Sequence, residues 1–386
     1  MAMAATFRYP DDVPTLSDGV VTLRAHQLSD VDGMVAQCVD PDSITWTTVP
    51  LSYGPDDAVL FATKIMPRGW EEETEFGFAI EAEHADGVRR YAGTMSLRAH
   101  GEGVAEIAYG LHPDARGRGT GTRAVRLLLD WGFDERGFDV IVWYANVGNW
   151  ASRRVAWATG FTFHGTVDKY LLQRGTRMDG WLATLRRTDR REPRHRWHIA
   201  PVLTVPGLVL RPFRDEDTAR LGDLFSDARS REFVGREPVL ATMTDGAVAL
   251  NLIREANATG KRYDWCVADA DTDHLVGHIQ LFNIGDGLDP TAVMTGYATH
   301  PDARGRGVAS KALTAVTEWA LRPSADDGLG MRRCSLSAAA TNTASRRVAE
   351  EAGYTHIATE PRAFPVGEHD FDDAVVYHVL ADEPPA

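Results

Sequence analysis

Cysteine is nearly absent from this 386-residue chain. Cys38, Cys266 and Cys334 are scattered, odd in number and without metal-ligand spacing, so a disulfide framework is not expected and neither is a metal. Lysine is confined to Lys64, Lys169, Lys261 and Lys311, and arginine carries nearly all other positive charge, a bias read as genome composition. Positive charge is itself in deficit: 41 Lys and Arg face 55 Asp and Glu, a net charge of −14. That balance argues against a nucleic-acid partner and favours a cationic acceptor such as an amine or a basic peptide. No apolar run approaches the ~18 residues of a membrane helix, and residues 1–14 are polar and acidic, unlike a signal sequence. A loose leader over 1–14, a cytoplasmic location and no membrane partner are the expectations.

What the chain does have is self-similarity. His112-Pro113-Asp114-Ala115-Arg116-Gly117-Arg118-Gly119 recurs unchanged as His300-Pro301-Asp302-Ala303-Arg304-Gly305-Arg306-Gly307, at a spacing of 304 − 116 = 188 residues. Eight identical residues at that distance mean a duplication, hence two domains, placed at 15–188 and 202–386. The charged, proline-containing stretch 189–201 reads as a solvated linker; a basic patch that docks a partner is the other reading left open. Each octapeptide follows a strand-like run (Val104 to Leu111; Ala292 to Thr299) and precedes an amphipathic one (Thr120 to Phe133; Val308 to Leu321).

A glycine turn opening a helix is suited to phosphate. The glycines let backbone approach a ligand closely, and the helix start offers unpaired N–H groups and a positive dipole end. Arg116, Arg118, Arg304 and Arg306 would add charge beside it. A Walker loop is excluded, since no Gly-Lys-Ser/Thr follows, and the dinucleotide fingerprint fits poorly for lack of a third glycine and a later acidic residue.

Both halves share one order of elements: strand, two helices, three antiparallel strands, helix, strand, helix, two strands. The first strand is Val20 to Arg24 or Leu208 to Arg211. A second helix is expected at Asp56 to Met66 and at Asp245 to Ala258. The last helices, Ala151 to Thr159 and Ala344 to Ala352, each stop at a glycine, Gly160 and Gly353. The expected class is α/β (α+β), with a mixed, mostly antiparallel central sheet flanked by helices in each half. The stretch from Pro361 to Asp373 reads as irregular.

These residues resemble the GNAT superfamily of acyl-CoA-dependent N-acyltransferases, twice in tandem. Its coenzyme signature, Gln/Arg-x-x-Gly-x-Gly/Ala, appears as Arg116-Gly117-Arg118-Gly119-Thr120-Gly121 and as Arg304-Gly305-Arg306-Gly307-Val308-Ala309. The downstream element, Asn then Ala-Ser opening a helix that ends in Gly-Phe/Tyr, appears as Asn149 to Ser152 through Phe161 and as Asn342 to Ser345 through Tyr354. The first half is most similar to the branch that acetylates N-termini of ribosomal proteins.

The resemblance implies acetyl-CoA, or another acyl-CoA, as donor and an amine-bearing small molecule or peptide as acceptor. It implies that the strand before the glycine turn holds the thioester carbonyl through Tyr109, Gly110 and Leu111, and through Tyr297, Ala298 and Thr299. Ser152, with Ser345 as its equivalent, would protonate the coenzyme sulfur; a serine there can equally be a helix cap. Asn149 and Asn342 would contact the coenzyme arm, or serve as turn residues. Glu106, the only carboxylate on its strand, is the candidate base, with solvent exposure on a half-buried strand as the plain alternative. Met294 stands in its place in the second copy, so the chemistry is expected in the first half. Trp46 and Trp70 are the candidate walls of the acceptor site. A longer acyl group, carried by CoA or by an acyl carrier protein and joined to a peptide natural product, a non-catalytic acyl-CoA sensor and a homodimer remain open.

Overall fold

Period-two apolar patterns build two sheets, and three-and-four patterns supply the helices that cover them. The computed structural model describes residues 7–233, 242–285 and 289–381. The chain divides into two compact units, Met1–Arg194 and His195–Ala386. The first carries strands β1 (Leu16–Ser17), β2 (Thr22–Arg24), β3 (Glu75–Glu83), β4 (Arg89–Gly101), β5 (Val104–Leu111), β6 (Val140–Asn146), β7 (Thr162–Gln173) and β8 (Thr176–Arg186). Its helices are α1 (Val31–Val39), α2 (Pro41–Trp46), α3 (Pro55–Leu60), α4 (Met66–Glu71), α5 (Thr120–Asp134) and α6 (Trp150–Ala158). The sheet order is β1-β2-β3-β4-β5-β6-β8-β7, antiparallel except for β5 against β6.

The second unit repeats this with β9 (Leu203–Val205), β10 (Leu208–Arg211), β11 (Arg262–Asp269), β12 (Leu275–Phe282), β13 (Ala292–Thr299), β14 (Arg333–Ala339), β15 (Thr355–Val366) and β16 (Asp370–Leu380). Its helices include α7 (Thr218–Ser226), α8 (Ala228–Phe233), α9 (Gly246–Ala258), α10 (Val308–Leu321) and α11 (Thr343–Glu351). Here β13 and β14 form the parallel pair. Helix α5 buries Ala124, Val125, Leu128 and Leu129 against Leu97, Ile107, Ile141 and Trp143 of the sheet. In α10, Ala312, Leu313 and Val316 do the same against Leu281, Val293 and Leu336. Each such large side chain contributes roughly 1.5–3 kcal/mol by leaving water.

The parallel pairs decide where a site can form. β5 pairs with β6 only from Val104↔Val140 to Ile107↔Trp143, and β13 pairs with β14 only from Ala292↔Arg333 to Met294↔Ser335. Beyond those residues the strands continue but part, leaving Ala108 to Leu111 and Thr295 to Thr299 with one edge unpaired inside the sheet.

Several expectations are corrected. Residues 7–14 are packed, not a loose leader: Phe7 stacks on Trp70 with centroids 5.7 Å apart, the Tyr9 hydroxyl accepts from His26 N–H at 2.9 Å, and Val13 is buried. Residues 1–6 lie outside the described ones. The helix expected at Asp56 to Met66 runs on to Glu71 through a π-helical turn, Phe61–Ile65. The stretch 361–373 lies in a hairpin of β15 and β16, with a register shift between Glu360 and Phe364. The basic stretch between the copies is largely exposed and is fastened at a few points. Arg194 donates to Gly160 O at 3.1 Å and Arg191 pairs with Asp130 at 2.9 Å. His198 stacks on Tyr263 at 4.1 Å.

Candidate active site

Each octapeptide becomes a 3₁₀ turn followed by two glycines in the left-handed region, Gly117 and Gly119 at φ +72° and +79°, Gly305 and Gly307 at +74° and +71°. That conformation explains the glycines, because a side chain there is strained. Helices α5 and α10 begin at the next residue, and no side chain caps either start. Thr120 and Val308 turn their side chains inward, so main-chain N–H groups are what these helix ends offer. Gly121 lies against Leu111 and Val155: a Cβ there would sit 3.3 Å from the leucine and 3.6 Å from the valine. It serves helix packing, and Ala309 stands at the same place in the copy.

The arginines divide. Arg118 and Arg306 are exposed on the turns. Arg116 is turned back into the protein, donating to Asp40 (2.5 Å), Asp42 (3.0 Å), Ser43 Oγ (3.1 Å) and Leu111 O (3.2 Å). Arg304 repeats the contact with Asp227 and with Ser230 Oγ at 3.1 Å. The expectation that Arg116 and Arg304 lend charge to a phosphate is therefore corrected. Each fastens the glycine turn to α2 or α8, and its aspartate, itself capping that helix, is held below the usual carboxylate range, chiefly through that arginine in Asp227 and against opposing burial in Asp40. The equal offset of Asp40-x-x-Ser43 and Asp227-x-x-Ser230 was the signal that a reading of the sequence passed over.

At the parted strands a hydroxyl cluster forms. Tyr109 Oη lies 2.9 Å from Ser152 Oγ and donates to Ser152 O at 3.1 Å, while the Trp143 indole N–H lies 3.1 Å from both hydroxyl oxygens. Burial pushes the Tyr109 hydroxyl up to about 12. In the second unit Tyr297 Oη lies 3.0 Å from Ser345 Oγ and is likewise raised to about 12 by burial, but Leu336 replaces the tryptophan. Trp143 escaped the sequence reading, although an indole on a buried strand needs an acceptor for its N–H. Ser152 is not a helix cap. Asn149 Oδ1 accepts from Ser152 N–H at 3.1 Å, and Asn342 accepts from Ser345 N–H at 3.2 Å. The asparagines spend their oxygens as caps rather than on a coenzyme arm.

On the opposite face of β5, Gln37 of α1 covers Gly110 so closely that a Cβ would lie 2.7 Å from its Nε2, and Gln37 Oε1 accepts from Tyr91 Oη at 2.7 Å. Glu106 shares that face, its side chain one quarter exposed, 3.4 Å from both Arg98 Nη1 and His100 Nε2. Its charge helps keep the Tyr144 hydroxyl protonated up to about 12, after burial and the contact with Tyr170. Trp46 is half-buried beside Gly148 in the turn before Asn149. Trp70 is no acceptor wall. Its ring packs among Phe76, Phe78 and Trp131 and its N–H donates to Gly77 O at 2.9 Å, because the longer helix carries it into the core.

The geometry fits an acyl-CoA: two uncapped helix starts without Cβ atoms in front of them, each beside an opened strand edge. The family model of the acetyltransferase (GNAT) domain matches residues 21–162 and again 207–355. No protein of curated function matches the sequence. Among solved structures, a GNAT-family acetyltransferase from Bacillus anthracis is 20% identical over 47% of this chain and 100% of its own, with a TM-score of 0.39. The microcin C7 self-immunity acetyltransferase MccE, solved with acetyl-CoA and AMP, is 20% identical over 44% and 93%, at 0.39. Mycobacterium smegmatis RimJ, solved with a CoA disulfide, is 22% identical over 46% and 88%, at 0.40. With the family model covering most of the chain in two passes, this protein belongs to the GNAT acetyltransferase family as a tandem of two domains, and is an N-acyltransferase that uses acetyl-CoA.

Proposed function

We propose that the first unit acetylates an amine, either a peptide N-terminus or the amine of a small molecule, by direct attack on the thioester, and that the second unit binds coenzyme without turnover. The observation that carries this reading is that one strand, β5, bears a hydroxyl cluster at its opened edge and, on the opposite face of its paired part, a carboxylate. Acetyl-CoA, when bound, supplies the acetyl group as a thioester. Main-chain N–H groups at Gly117, Gly119 and the start of α5 hold the diphosphate, and Arg118 adds charge from solvent. The exposed edge at Tyr109, Gly110 and Leu111 offers N–H groups toward the reacting carbonyl.

Glu106 takes a proton from the amine. It lies three residues, or about 10 Å along the strand, from Tyr109, a distance that calls for a water between carboxylate and amine. On the other face Tyr109 and Ser152 hold a proton at the sulfur's side. The raised Tyr109 hydroxyl stays protonated throughout the working pH range and spends its proton on Ser152, while Trp143 donates to both oxygens, which leaves the Ser152 hydroxyl proton free to point toward the sulfur. The second unit lacks the carboxylate, since Met294 stands there.

The test is thiol release from acetyl-CoA against panels of peptides, polyamines and aminoglycosides, with Glu106→Gln and Ser152→Ala alongside. Thiol release that needs an amine, and falls in both variants while coenzyme affinity holds, supports the reading; coenzyme binding with no thiol release from any amine would replace it with a sensor. A second reading, both units active on different acceptors, is favoured by the retained Tyr297–Ser345 pair, and Tyr297→Phe separates it.

A further inference from the structure

The histidine and aspartate of the octapeptide stand in two different electrostatic settings. In the second unit His300 N–H donates to Val276 O at 3.0 Å. Arg220 of α7 donates from Nε to the adjacent carbonyl, Leu275 O, at 2.6 Å. Its Nη2 reaches both oxygens of Asp302 (3.0 and 2.9 Å) and lies 3.1 Å from His300 Nδ1. A cation fixed to the chain thus stands among carbonyl, imidazole and carboxylate.

The first unit keeps the frame and drops the cation. His112 N–H donates to Ala92 O at 2.9 Å, but the residue on α1 that matches Arg220 is Gly33, whose Cβ would lie 2.7 Å from the Tyr91 ring. The adjacent carbonyl, Tyr91 O, receives His84 Nε2 at 2.8 Å instead. A carbonyl only accepts, so Nε2 carries the proton and Nδ1 of the neutral ring is a bare lone pair. His84 is 1% exposed, and its Nδ1 has no hydrogen-bond partner. That atom faces Asp114 Oδ2 at 4.0 Å, and His112 Nδ1 faces the same oxygen at 3.9 Å. His112 Nδ1 accepts only the Asp114 N–H, at 3.2 Å. Among the described residues, these three alone form a group of metal-capable side chains with all ligand atoms within 4.8 Å of one another.

We propose that His84, His112 and Asp114 bind a divalent transition-metal cation of the zinc class. Two imidazoles and one carboxylate suit zinc better than calcium or magnesium, which prefer oxygen alone. Ligands about 2.1 Å from a tetrahedral ion lie about 3.4 Å apart. The Asp114 spacings of 4.0 and 3.9 Å close to that by rotation of Asp114, whose side chain is 57% exposed, and the two imidazole nitrogens, within 4.8 Å of one another, close by a shift of the partly exposed His112 ring. The bond from Nε2 to Tyr91 O fixes the tautomer and aims Nδ1 at the ion. The nearest competing charge is Arg90, 3.9 Å from Asp114 Oδ2, but its guanidinium is engaged by Asp86 at 2.9 Å. Arg220 supplies the positive charge in the second unit, which therefore takes no ion. Asp114 lies two residues before Arg116, so the ion would tie the β3–β4 turn to the entrance of the glycine turn. Nothing in this site depends on how acyl transfer is assigned.

The test uses the full-length chain, stripped by a chelator and re-buffered, titrated with Zn²⁺ by calorimetry and with Co²⁺ by visible absorption. One equivalent of Zn²⁺ per chain is expected, weakened at least about tenfold by Asp114→Asn. Asp302→Asn, the matching change in the second unit, leaves that affinity as it was. Co²⁺ gives ligand-field bands in the wild type that Asp114→Asn removes. His84→Gln abolishes uptake; should it fail to fold, the exposed Asp114 variant decides alone. Absence of stoichiometric uptake overturns the proposal, as does uptake that the two aspartate variants lower equally or not at all.

Discussion

The two units keep the same coenzyme turn and differ on the face across the sheet from helices α5 and α10. Both hold the paired left-handed glycines, the arginine fastened to an Asp-x-x-Ser helix cap, and the tyrosine–serine hydroxyl pair. Across the sheet Glu106 is matched by Met294, Gln37 by Leu224, and Thr94 by His278, which is hydrogen-bonded to the buried Asp264 at 2.8 Å. Under the proposed function, a duplication that preserves the glycine turn and the hydroxyl pair while replacing the residues on the other side of the same strand separates donor binding from acceptor choice.

Glu106→Gln tests that separation most severely. Turnover should fall about a thousandfold, roughly 4 kcal/mol, as expected for loss of a general base, with coenzyme affinity unchanged; Met294→Gln should leave turnover as it was. Steady-state kinetics with equilibrium coenzyme binding would decide it, and unchanged turnover in Glu106→Gln would remove that residue from the mechanism.

The next effect is on acid stability. His26, fully buried beside Thr94, is pushed down from 6.5 to about 4, chiefly by burial, so it folds neutral. Its contribution is complete above about pH 6.5 and is lost as pH falls toward 4, about 3 kcal/mol over that window. The second unit has Phe213 at this position, packed edge-on against His278. Urea unfolding at several pH values should show that His26→Phe removes this share of acid sensitivity; an unaltered pH profile would mean that the buried ring does not govern it.

Smaller changes sharpen the comparison further. Tyr109→Phe should lower turnover about thirtyfold, roughly 2 kcal/mol, since Ser152 keeps one hydroxyl in the cluster, whereas Tyr297→Phe leaves it unchanged. Equal losses in both would make both units catalysts. Arg116→Ala and Arg304→Ala should each cost about 1 kcal/mol of stability, these being partly exposed pairs, and weaken coenzyme binding in their own unit. Loss in one unit only would show that the two fastenings are not equivalent.

Much of this was legible before any coordinates. Glycine at positive φ, the uncapped helix start and the strand–helix order are local consequences of the chain, and the octapeptide displays them twice. Arg116, Asn149 and Trp70 were less legible for a single reason. Each role depends on a partner distant in sequence or on which way a helix face turns. Arg116 meets Asp40 seventy-six residues away. Asn149 is a cap because Ser152, not Asn149, faces Tyr109. Trp70 enters the core because a π-helical turn carries its helix five residues past Met66.

By itself the sequence determined the duplication, the two sheets with their helices, the glycine turns and the family, because these rest on short-range backbone geometry and on period. Tertiary structure alone decided which arginines are fastenings, which tryptophan joins the hydroxyl cluster, and that His84 comes to face His112 and Asp114. Such meetings join residues separated by tens of positions, and the packing of strands and helices sets them, not any pattern along the chain.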